Sequence, residues 1–203
     1  MMRKRIAVSC LLLVSALWAG SAMAEGTIAL FLGQKSFDDA RFAHDVATPP
    51  ARGDGWSPVE DQPEIGINLS VGRSEWPVLM AVDLLYATDS DTDEDDFERE
   101  AWTVELGLGV RKFWSVWGDN FRPFVGGGLD TIKHYQSGSV GGVRRDDDNL
   151  ATGWWIDGGF LWSVHKKMSL GLDVRHSSAP GEIRGMDVEA GGFHVGLLLG
   201  WEL

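Results

Sequence analysis

Three side chains near the C-terminus have the types and spacing of a hydrolytic site. His176 lies two residues before Ser178, and Glu189 follows eleven residues after that serine. A serine becomes nucleophilic when a histidine accepts its proton and a carboxylate orients the histidine. The stretch therefore raises the hypothesis of a serine hydrolase. Whether the three side chains can act together depends on the elements that position them.

The beginning of the chain has the pattern of a secretory signal peptide. Residues 3–5 are basic, an apolar run extends from Ile6 to about Trp18, and small residues end at Ala24. We therefore expect residues 1–24 to be a signal peptide and residues 25–203 to form a single domain. No later segment offers the roughly 18 apolar residues that a membrane-spanning helix needs.

Cysteine content and charge exclude several functions. The only cysteine, Cys10, lies in the predicted signal peptide, so we expect no disulfide and no Cys-metal site after cleavage. Three of the 18 basic residues also lie there, which leaves a net charge of about −15 against 30 acidic residues. Because phosphate binding requires a basic surface, nucleic acid is not an expected partner.

The rest of the chain alternates apolar and polar residues with a period of two, which predicts strands. In one such stretch Trp102, Val104 and Leu106 share one face, while Thr103 and Glu105 share the other. We predict eight strands, at about 26–35, 63–73, 77–88, 100–112, 122–135, 151–163, 168–178 and 190–203. The predicted fold is all-β, an eight-stranded antiparallel up-and-down barrel.

The connections between these strands alternate between short and long. The long polar connections are predicted at about 36–62, 89–99, 136–150 and 179–189. Such alternation is typical of a bacterial outer-membrane barrel with short periplasmic turns and long external loops. A soluble lipocalin-like barrel, with the apolar face inside, is the alternative, because alternation alone does not say which face points inward.

Glycines and aromatics favour the membrane barrel. The polar faces are rich in glycine, which suits a crowded lumen. The aromatic residues fall at two heights, as in the interfacial girdles of membrane barrels. One predicted girdle, near the short turns, contains Trp76, Trp114, Trp162 and Trp201, and the other, near the long loops, contains Tyr86, Trp102, Tyr135 and Trp154.

The signal peptide, the eight alternating strands and the ending "GGFHVGLLLGWEL" resemble the small outer-membrane β-barrel superfamily that includes OmpA-like and OmpW-like proteins. The resemblance implies a Gram-negative outer membrane, with lipid and lipopolysaccharide as surroundings. It also implies insertion by the outer-membrane assembly machinery, and we expect a monomer. OmpW-like barrels further suggest passage of small hydrophobic molecules through a lateral opening, which would need an apolar lumen entrance.

Eight strands enclose an interior that side chains fill, so we expect no open channel. Charges in so narrow a lumen need partners or trapped water. We therefore predict a salt-bridge and hydrogen-bond network, with a proton or ion path as the alternative. The network is predicted to include Asp83, Glu105, Arg111, Asp130, Asp157, Asp173, Arg175 and His194.

One acidic stretch, "DSDTDEDDFERE", imitates the spacing of a calcium-binding loop. Asp89, Asp91, Asp93 and Glu100 occupy the first, third, fifth and twelfth positions of that spacing. Glu94 stands where the loop needs glycine, and strands rather than helices flank it. We expect a solvated acidic loop and no metal or other cofactor, with weak divalent binding as the alternative.

The predicted barrel places His176, Ser178 and Glu189 on the lipid-facing side at the external rim. There the stretch resembles PagL-type lipid A deacylases, which are eight-stranded barrels with a His-x-Ser-Asn motif and a later glutamate. The resemblance implies a nucleophilic Ser178, a general base His176 and an orienting Glu189, but Ala179 replaces the asparagine. Our main prediction is a non-catalytic barrel with a structural or surface-interaction role, and a lipid A deacylase is the alternative.

Overall fold

The structure is a computed structural model. It describes residues 25–37, 61–73, 75–92, 98–117, 120–140, 143–183 and 186–203. The predicted signal peptide, residues 1–24, lies outside the described residues. In the described part of the chain, no helix is long and apolar enough to cross a membrane.

The described residues form ten strands, which make up a closed barrel and a separate hairpin. The strands are β1 (Glu25–Ser36), β2 (Asp61–Gly72), β3 (Leu79–Thr92), β4 (Glu98–Phe113), β5 (Phe121–Val140), β6 (Val143–His165), β7 (Met168–Ser178), β8 (Pro180–Ile183), β9 (Met186–Glu189) and β10 (Gly192–Glu202). The barrel order is β1-β10-β7-β6-β5-β4-β3-β2, and β8 pairs only with β9. Closure occurs because β1 pairs antiparallel with both β2 and β10.

The apolar faces of the strands point outward. Leu197 is 63% exposed and Leu170 is 51% exposed, whereas Glu105 and Asp173 are each only 1% exposed. A continuous apolar exterior around a polar interior suits lipid and would be a large exposed patch in water. The predicted eight-stranded antiparallel barrel is therefore confirmed, and the lipocalin-like alternative, with its apolar face inside, is wrong.

Two predicted loops contain additional strand structure. Residues 136–150 were predicted as a loop, but β5 continues to Val140 and β6 begins at Val143, so the two strands form a long hairpin. Residues 179–189 contain the β8–β9 hairpin. In these segments neither face of the strand needs to be apolar, because both faces meet water. Their polar sequence therefore lacks the period of two that would predict strand pairing.

The barrel strands define two ends. The short-turn end holds the β2–β3, β4–β5 and β6–β7 connections together with the first residue of β1 and the last of β10. The other end, called the long-connection end after the long loops predicted there, holds the β1–β2, β3–β4 and β5–β6 connections and the β8–β9 hairpin. The β3–β4 and β5–β6 connections are only residues 93–97 and 141–142, because their strands extend into the predicted loops. Strands β3 to β6 continue past β2 and β7 at the long-connection end, because β2–β3 pairing stops at Glu64↔Ala87 and β6–β7 pairing stops at Trp154↔Ser178.

An apolar cluster fills part of the lumen, and glycines on neighbouring strands make room for it. A methyl group added to Gly196 would lie 2.5 Å from Cζ of the buried Phe31, and Gly33 packs against the same ring. Glycine is therefore required here because the ring occupies the space of a side chain. The cluster comprises Ala29, Phe31, Leu85, Phe124, Leu161 and Leu198.

We expect Gly196→Ala to lower the free energy of unfolding by about 1–3 kcal/mol, because the added methyl group overpacks the Phe31 ring. Gly158→Ala is the matched control, since the nearest atom to its added methyl group is 3.6 Å away. Urea unfolding in lipid vesicles measures both values. Equal stability of the two variants would contradict the packing account.

Candidate functional site in the barrel lumen

All eight residues of the predicted polar network are buried on the inward faces of their strands. Asp83 and His194 have no exposed surface, and Asp157, at 7%, has the most. The period of two explains the placement, since every second residue of a barrel strand faces the lumen. Pairing across strands then decides which of these side chains meet.

Arg175 on β7 joins three carboxylates. Its Nη1 donates to Asp83 Oδ2 at 2.9 Å and its Nη2 donates to Asp130 Oδ2 at 2.9 Å. Nη2 also lies 2.7 Å from Glu105 Oε1. The guanidinium carbon is 4.4 Å from the ring centroid of Trp155, a side chain with no exposed surface. A single arginine thus connects β7 with β3, β4 and β5 through charged hydrogen bonds or ion pairs.

Arg111 on β4 forms a second centre nearer the short-turn end. Its Nε donates to Asp157 Oδ2 at 3.0 Å, and its Nη2 forms an ion pair with the same oxygen. Nη2 also donates to Asp83 Oδ2 at 3.0 Å, and Nη1 donates to Ser70 Oγ at 3.0 Å. Asp83 therefore bridges both arginines. In the same part of the lumen, Asp173 accepts a hydrogen bond from the Asn68 amide at 3.1 Å.

Trp155 packs against both arginines. Its ring centroid is 5.5 Å from the guanidinium carbon of Arg111, in addition to the closer contact with Arg175. The indole Nε1 donates to the Leu129 carbonyl at 3.1 Å. A methyl group on Gly107 would lie 3.0 Å from that Nε1 and 2.8 Å from Arg175 Nη2. Arg175 and the indole therefore fill the space that the missing side chain leaves, and the cation–π contacts are favourable.

A further polar group, which shares Glu105 with the Arg175 centre, lies nearer the long-connection end. The Ser177 hydroxyl is 3.0 Å from His194 Nε2, and His194 Nδ1 lies 3.0 and 2.8 Å from the two carboxylate oxygens of Glu64. Ser177 also lies 3.3 Å from Glu105 Oε2, which forms an ion pair with Lys35 at 3.3 Å. Strands β1, β2, β4, β7 and β10 each contribute one residue.

The rim residues of the deacylase hypothesis lie on the outward face at the end of β7 and on β9. The Ser178 hydroxyl donates to Glu189 Oε2 at 3.3 Å. Glu189 Oε1 accepts from the backbone amides of Ala179 and Gly191, the latter at 3.1 Å. His176 lies on the same outward face as Ser178 and makes an edge contact with Trp154, with ring centroids 5.5 Å apart. The structure thus brings Ser178 and Glu189 together, and Glu189 belongs to β9 rather than to a barrel strand.

The family assignment rests on both sequence and fold. Residues 6–199 match the family model described as outer membrane protein beta-barrel domain. The chain belongs to the outer membrane protein beta-barrel domain family. It is therefore an outer-membrane protein of Gram-negative type, as the superfamily resemblance implied. No curated protein sequence matches the chain.

Solved structures of this architecture are similar in fold at low identity. A major outer membrane protein from Thermus thermophilus has a TM-score of 0.58 and 9% identity, covering 89% of this chain and 99% of that one. OprG from Pseudomonas aeruginosa has a TM-score of 0.54 and 11% identity, covering 89% and 96%. Ail of Yersinia pestis, solved with the heparin analogue sucrose octasulfate, has a TM-score of 0.52 and 10% identity, covering 88% and 99%.

The aromatic residues predicted to form two girdles surround the exterior of the barrel. Trp76, Trp114, Trp162 and Trp201 are 38–48% exposed, as are Tyr86 and Trp154. Trp102 and Tyr135 are partly covered because their rings stack with centroids 5.2 Å apart. All of the barrel-strand members lie on outward faces, which is the placement that an interfacial girdle requires.

The residues of the acidic candidate loop are divided between strands. Asp89 and Asp91 belong to β3 and Glu100 belongs to β4, where it pairs with Ser90. Asp93 lies outside the described residues. Asp89 accepts a hydrogen bond from the Ser90 amide at 2.8 Å. Among the described residues, no group of three potential ligands is placed to hold a metal ion.

Sequence reasoning did not identify Glu64, Ser177, Lys35 or Trp155 as parts of the lumen site. Glu64 lies an even number of residues from Asn68, and Ser177 an even number from Arg175, so the period of two predicts that both face the lumen. The alternation does not predict their contacts, because contacts depend on the register between strands that are far apart in sequence.

We expect Arg175→Met to lower the free energy of unfolding by about 3–5 kcal/mol, because three buried carboxylates lose their shared cation. Lys133→Met is the control, since its ion pair with Asp148 is about half exposed and should contribute less than about 1 kcal/mol. Urea unfolding in vesicles measures the difference, and a loss for Arg175→Met no larger than for the control would contradict this role.

Proposed function

We propose that this family member is a non-conducting, non-catalytic outer-membrane barrel with a structural or surface-interaction role in the cell envelope. The observation that carries the proposal is the lumen-filling network centred on Asp83, Arg111, Arg175 and Trp155. The proposed surroundings are outer-membrane lipid and lipopolysaccharide. Insertion of a monomer by the outer-membrane assembly machinery belongs to the same proposal.

The network argues against passage of solutes along the barrel axis. Its ion pairs connect β3 with β4 and β7, and β4 with β6, while Trp155 packs against both arginines. Moving an ion through would require separation of buried charge pairs, at a cost of several kcal/mol each. The same charges disfavour a hydrophobic molecule entering the lumen as proposed for OmpW-like barrels, because that route needs an apolar entrance.

The long-connection end supports a role at the surface. Residues 88–92, 98–102, 135–140 and 143–148 continue four neighbouring strands beyond the rest of the barrel. In barrels of this kind the long connections face outward from the cell. A sulfated ligand such as the one solved with Ail is an unsuitable partner for this chain, because the net charge of −12 repels polyanions.

The geometry at Ser178 supports the non-catalytic proposal over the deacylase alternative. In a hydrolytic triad the carboxylate orients the histidine, and the histidine accepts the proton of the serine. Here Glu189 contacts the serine hydroxyl directly and also accepts from two backbone amides. These bonds fit a carboxylate that ties the β8–β9 hairpin to the rim between β7 and β10.

We expect the wild-type protein to give no stable ion conductance in planar lipid bilayers. Trp155→Gly should introduce conductance, because it removes the indole that packs against Arg111 and Arg175 where Gly107 already lacks a side chain. Trp154→Gly is the control, since its side chain faces outward. Steady channels formed by the wild type would contradict the non-conducting part of the proposal.

Mass spectrometry of lipid A tests the absence of catalysis at the rim. Cells expressing the wild type and cells expressing Ser178→Ala should contain lipid A with the same acyl chains. A gel shift between unboiled and boiled samples confirms that both proteins are folded. If an acyl chain is lost with the wild type and retained with Ser178→Ala, the protein is a deacylase.

A further inference from the structure

We propose that Ser177 is an activated nucleophile inside the lumen, with His194 as its general base and Glu64 as the carboxylate that orients His194. The proposal goes beyond the proposed function, because it adds a chemical activity in the lumen to the envelope role. The non-catalytic description then applies to the rim at Ser178. It also differs from the rim hypothesis in every residue.

The connectivity follows from the donors and acceptors at each atom. An ionised carboxylate can only accept, so His194 Nδ1, at 2.8 Å from Glu64 Oε2, donates its proton. In the neutral ring the other nitrogen, Nε2, then has a free lone pair. The Ser177 hydroxyl then has two acceptors for its proton, His194 Nε2 at 3.0 Å and Glu105 Oε2 at 3.3 Å, and the proposal assigns it to the nearer one. This is the order of contacts that makes a serine nucleophilic.

The fold holds all three side chains in place. Glu64 on β2 and Ser177 on β7 reach His194 on β10, the strand that joins β7 to β1 in the closed barrel. The side chains of His194 and Glu64 are no more than 1% exposed, and Ser177 has no exposed surface. Water therefore does not compete for the two hydrogen bonds, which strengthens them.

A buried lysine shares a neighbour with the serine, and a buried amide lies on the strand beside that lysine. Lys35 Nζ contacts the same Glu105 oxygen that lies 3.3 Å from Ser177 Oγ, so the ammonium and the hydroxyl share a neighbour. Gln62 pairs with Lys35 across β1 and β2 and is fully buried, and within the described part of the chain neither of its amide atoms has a hydrogen-bond partner. A lysine and an unpaired amide are the kinds of group that stabilise a developing oxyanion.

The site lies close to the long-connection end. Ser177 is the last but one residue of β7, Lys35 the last but one of β1, and His194 the third residue of β10. The narrow lumen and its acidic walls select a small, uncharged substrate. Together with the serine chemistry, this points to short-chain carboxylic esters rather than lipid A.

The reaction balances without any cofactor. Ser177 Oγ forms a bond to the ester carbonyl carbon while its proton passes to His194 Nε2. The carbon–alkoxy bond then breaks, and the leaving alcohol takes that proton. Water, deprotonated by His194, releases the carboxylic acid and restores the serine, so one ester and one water give one acid and one alcohol.

Diisopropyl fluorophosphate is a suitable probe, because it is small, uncharged and reacts with activated serines. Oγ forms a bond to phosphorus, fluoride leaves, and the proton goes to His194. Intact-mass spectrometry of the full-length protein in detergent should show one adduct, mapped to Ser177 by peptide sequencing. Ser178→Ala, on the opposite face of the strand, is the matched control and should label at the wild-type rate.

Ser177→Ala should abolish labelling, and His194→Gln should slow it by at least about 100-fold, the usual contribution of a general base. Glu64→Gln should slow it by at least about 10-fold, because the histidine loses its ionised partner. The gel shift on boiling selects folded variants. Failure of the folded wild type to label, or labelling at full rate without His194, overturns the proposal.

The variant Ser177→Cys tests whether a small molecule can reach position 177, independently of whether the serine is activated. Alkylation of this variant by iodoacetamide, together with labelling of the wild type by the fluorophosphate, supports the proposal. Alkylation without labelling of the wild type shows that the position is reachable but not activated, which overturns it. Absence of both reactions shows that small molecules do not reach Ser177 and overturns it as well.

Discussion

Asp83 contacts both buried arginines at once, and the interior of the barrel is organised around that double contact. Arg111 and Arg175 both lie 2.9–3.0 Å from its Oδ2. A charge in a closed lumen needs a partner within hydrogen-bond distance, since the alternative is an unpaired ion in a medium of low polarity. Asp157 adds a contact to Arg111, and Asp130 and Glu105 add contacts to Arg175.

Other features of the interior follow from this requirement. The guanidiniums need a surface to pack on, and the ring of Trp155 provides one for both. The indole and the arginine in turn need space, which Gly107 and Gly126 leave by having no side chain. The apolar cluster around Phe31 occupies another part of the lumen in the same way, in the space beside Gly33 and Gly196. These two parts of the interior are therefore packed rather than open.

Two neighbouring serines show how strongly the strand alternation divides chemical roles. Ser178 faces outward and contacts Glu189, which fastens the β8–β9 hairpin. Ser177 faces inward and meets one nitrogen of His194, while Glu64 holds the other. The two serines are adjacent in sequence, yet their side chains lie on opposite sides of the barrel wall. A motif in a β-barrel acquires a meaning only when its face is known.

The sequence by itself determined the class of fold. Alternation with a period of two located eight barrel strands to within a few residues in most cases, and it placed Asp83, Arg175 and His194 on the polar face. It could not reveal the β5–β6 extension or the β8–β9 hairpin, because outside lipid both faces of a strand meet water and the alternation disappears.

Only the tertiary structure decided which polar residues meet. Glu64 and His194 are separated by 130 residues, and Lys35 and Glu105 by 70. Closure of β1 on β10 brings them together, and the register across the barrel sets their heights. Local sequence specifies the face of each residue, because that depends on the backbone of one strand. Contacts across the lumen depend on the register of all eight strands together.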